Sequence, residues 1–133
     1  MTALTFRPRT LHEVSRRVAA DEQPFDPALR EFLDEFYAHP MHRMGAIAQP
    51  PLPLDALRDA YLGATAEHLA SCYKMPAPAW TETYGMALTQ PFFAGGLDSL
   101  KAVLTVESPA AFRRRLLFVS QNALSRARED APD

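Results

Sequence analysis

Three arginines in succession, Arg113, Arg114 and Arg115, follow Glu107-Ser108-Pro109-Ala110-Ala111-Phe112 and precede the apolar run Leu116-Leu117-Phe118-Val119. A guanidinium is a planar fork of donors that suits carboxylate or phosphate. From Pro109 to Arg128 the chain holds five arginines and no acid. This segment is therefore a candidate docking surface for an acidic protein or for nucleic acid. The same run also fits a solvated helix face that pairs with acids of its own chain. Successive helical residues point about 100° apart, so the three cannot share one face. One or two at most can turn inward, with their stems along apolar neighbours.

Other residues of chemical interest are scattered. His39 and His42 are three apart, and His68 and Cys72 are one helical turn apart; all four are metal-ligand types. No companion pair lies beside either, so no metal site is expected, and His68 reads as a partly buried, hydrogen-bonded side chain. The glycines of Gly95-Gly96-Leu97-Asp98-Ser99-Leu100 could expose amides to an anion at a helix start. There is no G-x-x-x-x-G-K-[ST] and no strand followed by G-x-G-x-x-G, so nucleotide binding has little support. No Ser–His–acid or Cys–His order and no close carboxylate pair can be singled out. A non-catalytic protein without a cofactor is expected.

The elements that must carry these residues are legible in the patterning. The chain has 133 residues, a net charge of −2 and a pI near 6.1. That length suits one domain, and the charge balance argues against a strongly nucleic-acid-binding domain. No apolar run reaches the ~18 residues of a membrane span, and the first residues lack the apolar core of a signal peptide. The single cysteine rules out an internal disulfide, which suits the cytoplasm. Twelve prolines against five glycines suggest short helices joined by proline-stiffened loops.

Residues 1–9 read as a loose tail, 10–129 as a single helical domain and 130–133 as a second tail. Thr10-Leu11-His12-Glu13 is a capping-box pattern opening a helix to about Ala20. Asp26-Pro27 opens a second helix, with Asp26 as cap and Pro27 in first place. Its Leu29, Phe32, Leu33, Phe36 and Tyr37 make the clearest amphipathic stripe in the chain. From Asp21 to Glu35 there are six acids and one arginine, an acidic block that could partner Arg113 to Arg115.

Ala46 to Pro53 reads as a loop. Asp55 to Tyr73 is the longest helix candidate, apolar on two sides, which suggests a central helix; its wide apolar surface leaves self-association into a homo-oligomer open. Pro76 and Pro78 hold the next segment extended, with Trp80 as an anchor. Gln90-Pro91-Phe92-Phe93 is a second aromatic anchor. A helix follows from Gly95, another starts at Ser108 (cap) and Pro109 (first position), Leu116 to Val119 reads as a short extended segment, and Ser120 opens a last helix. The expected fold is mainly α: one compact domain of about five helices, with proline-rich loops and one short extended segment.

Two resemblances add to this reading. Phe92-Phe93-Ala94-Gly95-Gly96-Leu97-Asp98-Ser99-Leu100 resembles the phosphopantetheine attachment motif of acyl and peptidyl carrier proteins, which implies a prosthetic arm on Ser99. Lys101 and the arginines that follow depart from the acidic helix of such carriers. The second resemblance covers most of the chain. Phe25 to Tyr37, Glu67-His68-Leu69, Pro76-Ala77-Pro78-Ala79-Trp80, Pro91-Phe92-Phe93 and Glu107-Ser108-Pro109-Ala110-Ala111-Phe112-Arg113-Arg114-Arg115 resemble, in this order, a poorly characterised bacterial family. Its members are commonly encoded beside nucleotidyltransferase-like proteins of the AbiEii kind. Phe92 stands where that family often has Trp, and Leu116 where it often has Gly or Asn. The resemblance implies an antitoxin-like, non-catalytic partner of a nucleotidyltransferase-like protein, docking around Arg113, Arg114 and Arg115, with Phe112 and Trp80 supporting the loop. A DNA-binding regulator is the alternative, although the acidic second helix does not suit a groove-reading role.

Overall fold

A computed structural model describes residues 6–86, 88–93, 108–120, 123, 124 and 126. Among them are five α-helices, two 3₁₀ turns and two short strands. The fold is mainly α, as the patterning predicts. Contacts gather the chain into two compact units. One holds the described residues up to Leu54 together with Arg126; the other runs from Asp55 to Leu124.

The first unit contains α1 (Leu11–Ala19), α2 (Phe25–Ala38), a 3₁₀ turn (Pro40–His42) and α3 (Arg43–Ala48). Thr10 caps α1 by accepting a hydrogen bond from the Glu13 amide at 2.9 Å. The Glu13 carboxylate does not complete the box; it turns forward to Arg16 and Arg17, each at 2.8 Å. α1 ends through Asp21, whose φ of 58° lets the Glu22 amide reach back to Arg17 O at 2.8 Å. That left-handed ending satisfies carbonyls the helix leaves open.

α2 starts earlier than Asp26-Pro27 predicts. Pro24 is the extended N-cap residue and its carbonyl accepts from the Ala28 amide at 3.2 Å. Asp26 therefore lies in the first turn. Pro27 is the third helical residue, still a position whose missing N–H costs no intrahelical bond. Leu29, Phe32, Leu33, Phe36 and Tyr37 are all buried, and Leu11, Val14, Ala46 and Ile47 complete this core.

One expectation for this unit is corrected. α3 forms where the patterning suggests a loop from Ala46. Six residues are too few to show a period, and Arg43 fixes the geometry: it donates to the Phe36 and Tyr37 carbonyls at 3.1 and 3.0 Å and lies over the Phe36 ring, closing the C-terminus of α2. From Phe6 to Arg9, within the segment read as a tail, the chain makes contacts with this unit. Arg17 donates to Phe6 O at 2.6 Å, Pro8 is buried, and Arg7 and Arg9 approach Asp34 and Glu35 at 3.5 and 3.7 Å.

The second unit is built on α4 (Ala56–Cys72), capped by Asp55 through the Arg58 amide at 2.8 Å. Leu62, Gly63, Ala64, Thr65 and Ala66 are buried in succession. Five consecutive residues span more than a full turn, so α4 is covered all round at its middle. A 3₁₀ turn (Ala79–Glu82), β1 (Phe92–Phe93), α5 (Ala110–Arg113) and β2 (Leu117–Phe118) complete the unit. The strands pair in parallel, Phe92 with Leu117 and Phe93 with Phe118, and Phe93 stacks on Phe118 at 4.7 Å. Phe92 is 43 % exposed, so only the second of the two phenylalanines is an anchor. The expected helices from Gly95 and from Ser120 lie mostly outside the described residues, as does Ser99.

Two outcomes follow from these ends and caps. The hydrogen bond from Arg16, reinforced by Arg17, holds the Glu13 carboxyl down to about 2 against a burial that would raise it. A carboxyl depressed in the folded state stabilises above its ordinary value of 4.5, and that contribution is lost as pH falls toward about 2. Glu13→Gln should lose on the order of 1 kcal/mol or less at pH 7, and its deficit against the wild type should vanish near pH 2, read by urea denaturation across that range. Lys74 ends α4 with φ 58°; Lys74→Gly should raise stability by roughly 0.5–1 kcal/mol in thermal melts.

Candidate functional site

The arginine run sits on α5 and the turn after it, and its three side chains diverge. Phe112 is fully buried. It meets the Tyr61 ring edge-on at 5.2 Å and the His68 ring at 6.2 Å, which docks α5 on α4. One residue on, Arg113 is exposed. Arg114 has a side chain 38 % exposed and donates from Nε to Glu67 Oε1 at 2.8 Å. Its Nη2 lies 3.4 Å from Thr81 O and 3.9 Å from Glu82.

Arg115 turns inward and is 1 % exposed. Its Nη1 donates to Glu67 Oε1 at 2.6 Å and to Ala111 O at 3.0 Å. Its Nη2 donates to Thr81 O at 2.5 Å. Nε is buried without an acceptor among the described residues. Burial works to lower the affinity of this guanidinium for its proton, and the Glu67 carboxylate opposes it. Among the described residues the close intramolecular partner of the run is thus Glu67 of α4; the acidic block from Asp21 to Glu35 belongs to the first unit. Asp34 of that block is taken by Arg126 at 2.8 Å and by Arg7, and Glu35 stands between Arg9 and His39.

Local backbone geometry makes this arrangement fit. Gly63 supplies the space: a Cβ there would come within 2.9 Å of Arg115 Nε and 2.8 Å of Tyr84 O. Thr81, the acceptor shared by two arginines, is itself buried and donates its hydroxyl to Pro78 O at 2.7 Å. Trp80, expected to support the loop, is half-buried in the same 3₁₀ turn and packs edge-on against Tyr84 at 5.3 Å. The Tyr84 hydroxyl donates to Asp59 at 3.0 Å, and burial with that bond pushes its ionisation up.

Ser108 does not cap α5. Pro109 occupies the cap position in extended conformation. The Ser108 hydroxyl instead accepts from Val119 N at 2.8 Å and donates to Val119 O at 2.9 Å, binding both ends of the α5–β2 segment. Leu116, between them, adopts φ 63°.

The histidine pairs fall elsewhere. His39 and His42 face each other at 6.3 Å in a half-open cleft with Arg9, Glu35, Phe36 and Ala46. His68 Nε2 lies 3.4 Å from Cys72 Sγ. Among the described residues no three His, Cys, Asp or Glu side chains converge to hold a metal ion. No described helix is long and apolar enough to cross a membrane.

Sequence reasoning missed Glu67, Thr81 and Gly63. The one available signal was Gly63, an isolated glycine inside a helical pattern, which often marks a close approach. Comparison with known proteins gives no match: no family model, no curated protein and no solved structure matches this chain.

The close fit at Gly63 can be checked directly. Alanine is the better helix former by roughly 1 kcal/mol, yet Gly63→Ala should destabilise the chain, because its methyl would press on the Tyr84 carbonyl and the buried guanidinium. A melting temperature equal to or above that of the wild type would show that Arg115 is not held against this helix.

Proposed function

We propose that this chain is a non-catalytic interaction protein, an antitoxin-like partner of a nucleotidyltransferase-like protein, working in a reducing compartment such as the cytoplasm. The observation that carries this reading is the division of labour within the arginine run. Arg115 and Phe112 are spent on fixing α5 against α4, while Arg113 and Arg114 stand on the outer side of that fixed turn. Arginines held on a rigid element lose less freedom on binding than arginines on a loose loop. The resemblance in the sequence supplies the class of partner. Leu116 fits that resemblance in one respect: its left-handed backbone is the conformation that Gly or Asn favours, the residues often present there in the family.

Tagged chain purified from its native host, with mass spectrometry of what accompanies it, tests the reading. A nucleotidyltransferase-like protein in stoichiometric amount is the expected result. A lone chain, at concentrations where the complex should persist, removes it.

A further inference from the structure

We infer that the outer surface of α5 and the turn after it docks an acidic, extended segment of a partner protein, with Arg114 exchanging its internal carboxylate for one from the partner. This deepens the interaction reading above and rests on it.

Three observations point to this chemistry. First, cation and anion are unequal here. Glu67 Oε1 serves both Arg114 and Arg115. Glu82 is 71 % exposed and only reaches 3.9 Å from Arg114. Arg113 has no ion pair among the described residues. Among the described residues, two guanidiniums thus share one close carboxylate and the third has none.

Second, the two Glu67 contacts differ in how readily they open. The Arg115 side chain is fully buried and that of Arg114 is 38 % exposed. A half-exposed ion pair is weak, whereas a buried cation stripped of its counter-charge is strongly unfavourable. An incoming carboxylate can therefore take Arg114 and leave Glu67 with Arg115, so the frame stays closed.

Third, an exposed aromatic lies within reach of the same turn. The Phe92 amide donates to Leu116 O at 2.8 Å, and the Leu116 amide donates to Arg113 O at 2.9 Å. Phe92 is exposed although its strand neighbour Phe93 is stacked on Phe118. Phenylalanine and arginine are both enriched in protein interfaces relative to the rest of the surface. A segment with carboxylates flanking an apolar residue complements such a surface. Two outward arginines on a chain of net charge −2 are too few for the many phosphate contacts that non-specific nucleic-acid binding depends on.

The full chain, labelled with ¹⁵N, is titrated with the peptide acetyl-Glu-Asp-Leu-Glu-Asp-amide, with its Gln/Asn counterpart, and with a 12-base-pair DNA duplex. The acidic peptide should shift the Nε–H signals of Arg113 and Arg114 while that of Arg115 stays in place, and the shifts should weaken as salt rises. Arg113→Glu with Arg114→Glu should weaken binding at least tenfold. If that pair unfolds the chain, Arg113→Gln with Arg114→Gln gives the same reading. Phe92→Ala should weaken binding severalfold. Equal shifts from the amide peptide, preference for the duplex, or no shift up to millimolar peptide overturns the proposal. If the native partner co-purifies undiminished with the doubly substituted chain, the docking chemistry fails and the interaction reading stands.

Discussion

A guanidinium that cannot reach water must find its counter-charge and its acceptors inside the chain, and Arg115 imposes that demand on the whole second unit. Its two terminal nitrogens need the Glu67 carboxylate of α4, the Thr81 carbonyl of a 3₁₀ turn and the Ala111 carbonyl of its own helix. Three segments far apart in sequence are thereby tied to one side chain. The arrangement also needs Gly63, because any side chain there would meet the guanidinium. Replacing a buried pair by apolar groups is often neutral in stability. What the charge adds is directional: each donor specifies where one backbone segment must lie.

Arginine plays a related part in the first unit. Arg43 closes the end of α2 through two carbonyls, and Arg17 reaches Glu13, Gln23 and Phe6 O. In both units buried or half-buried guanidiniums satisfy backbone groups that short helices leave open. A chain with twelve prolines and helices interrupted accordingly has many such groups. Left-handed residues at Asp21, Lys74 and Leu116 end three turns without glycine, and the long arginine side chains help to hold the segments around the first and the last of them.

The same economy shapes the candidate interface. One arginine of three is internal, one is half-engaged and one is free of ion pairs among the described residues. The internal one ties the turn to α4, and on the proposed reading that frame holds the outer two in place for a partner. On the proposed reading, stability and docking draw on the same three residues, and a substitution in the run acts on one or the other according to which way its side chain points.

The sequence by itself determined the mainly helical class, the apolar stripe of α2, the long helix from about Asp55 to Tyr73 with its wide apolar surface, the break at Pro76–Pro78 and an extended segment within Leu116 to Val119. Each of these depends on residues close together along the chain: a period, a cap or a proline acts within a turn or two. It also bounded the arginine run, since helical geometry alone forbids three neighbours on one face. Only the tertiary structure decided which arginine turned inward, that Glu67 met it, that Ser108 held Val119 instead of capping α5, and that Arg17 reached Phe6 O. These are matters of pairing between residues tens of positions apart. Several acids offered equivalent charge in the sequence, and only packing determines which of them comes within hydrogen-bonding distance of a buried guanidinium.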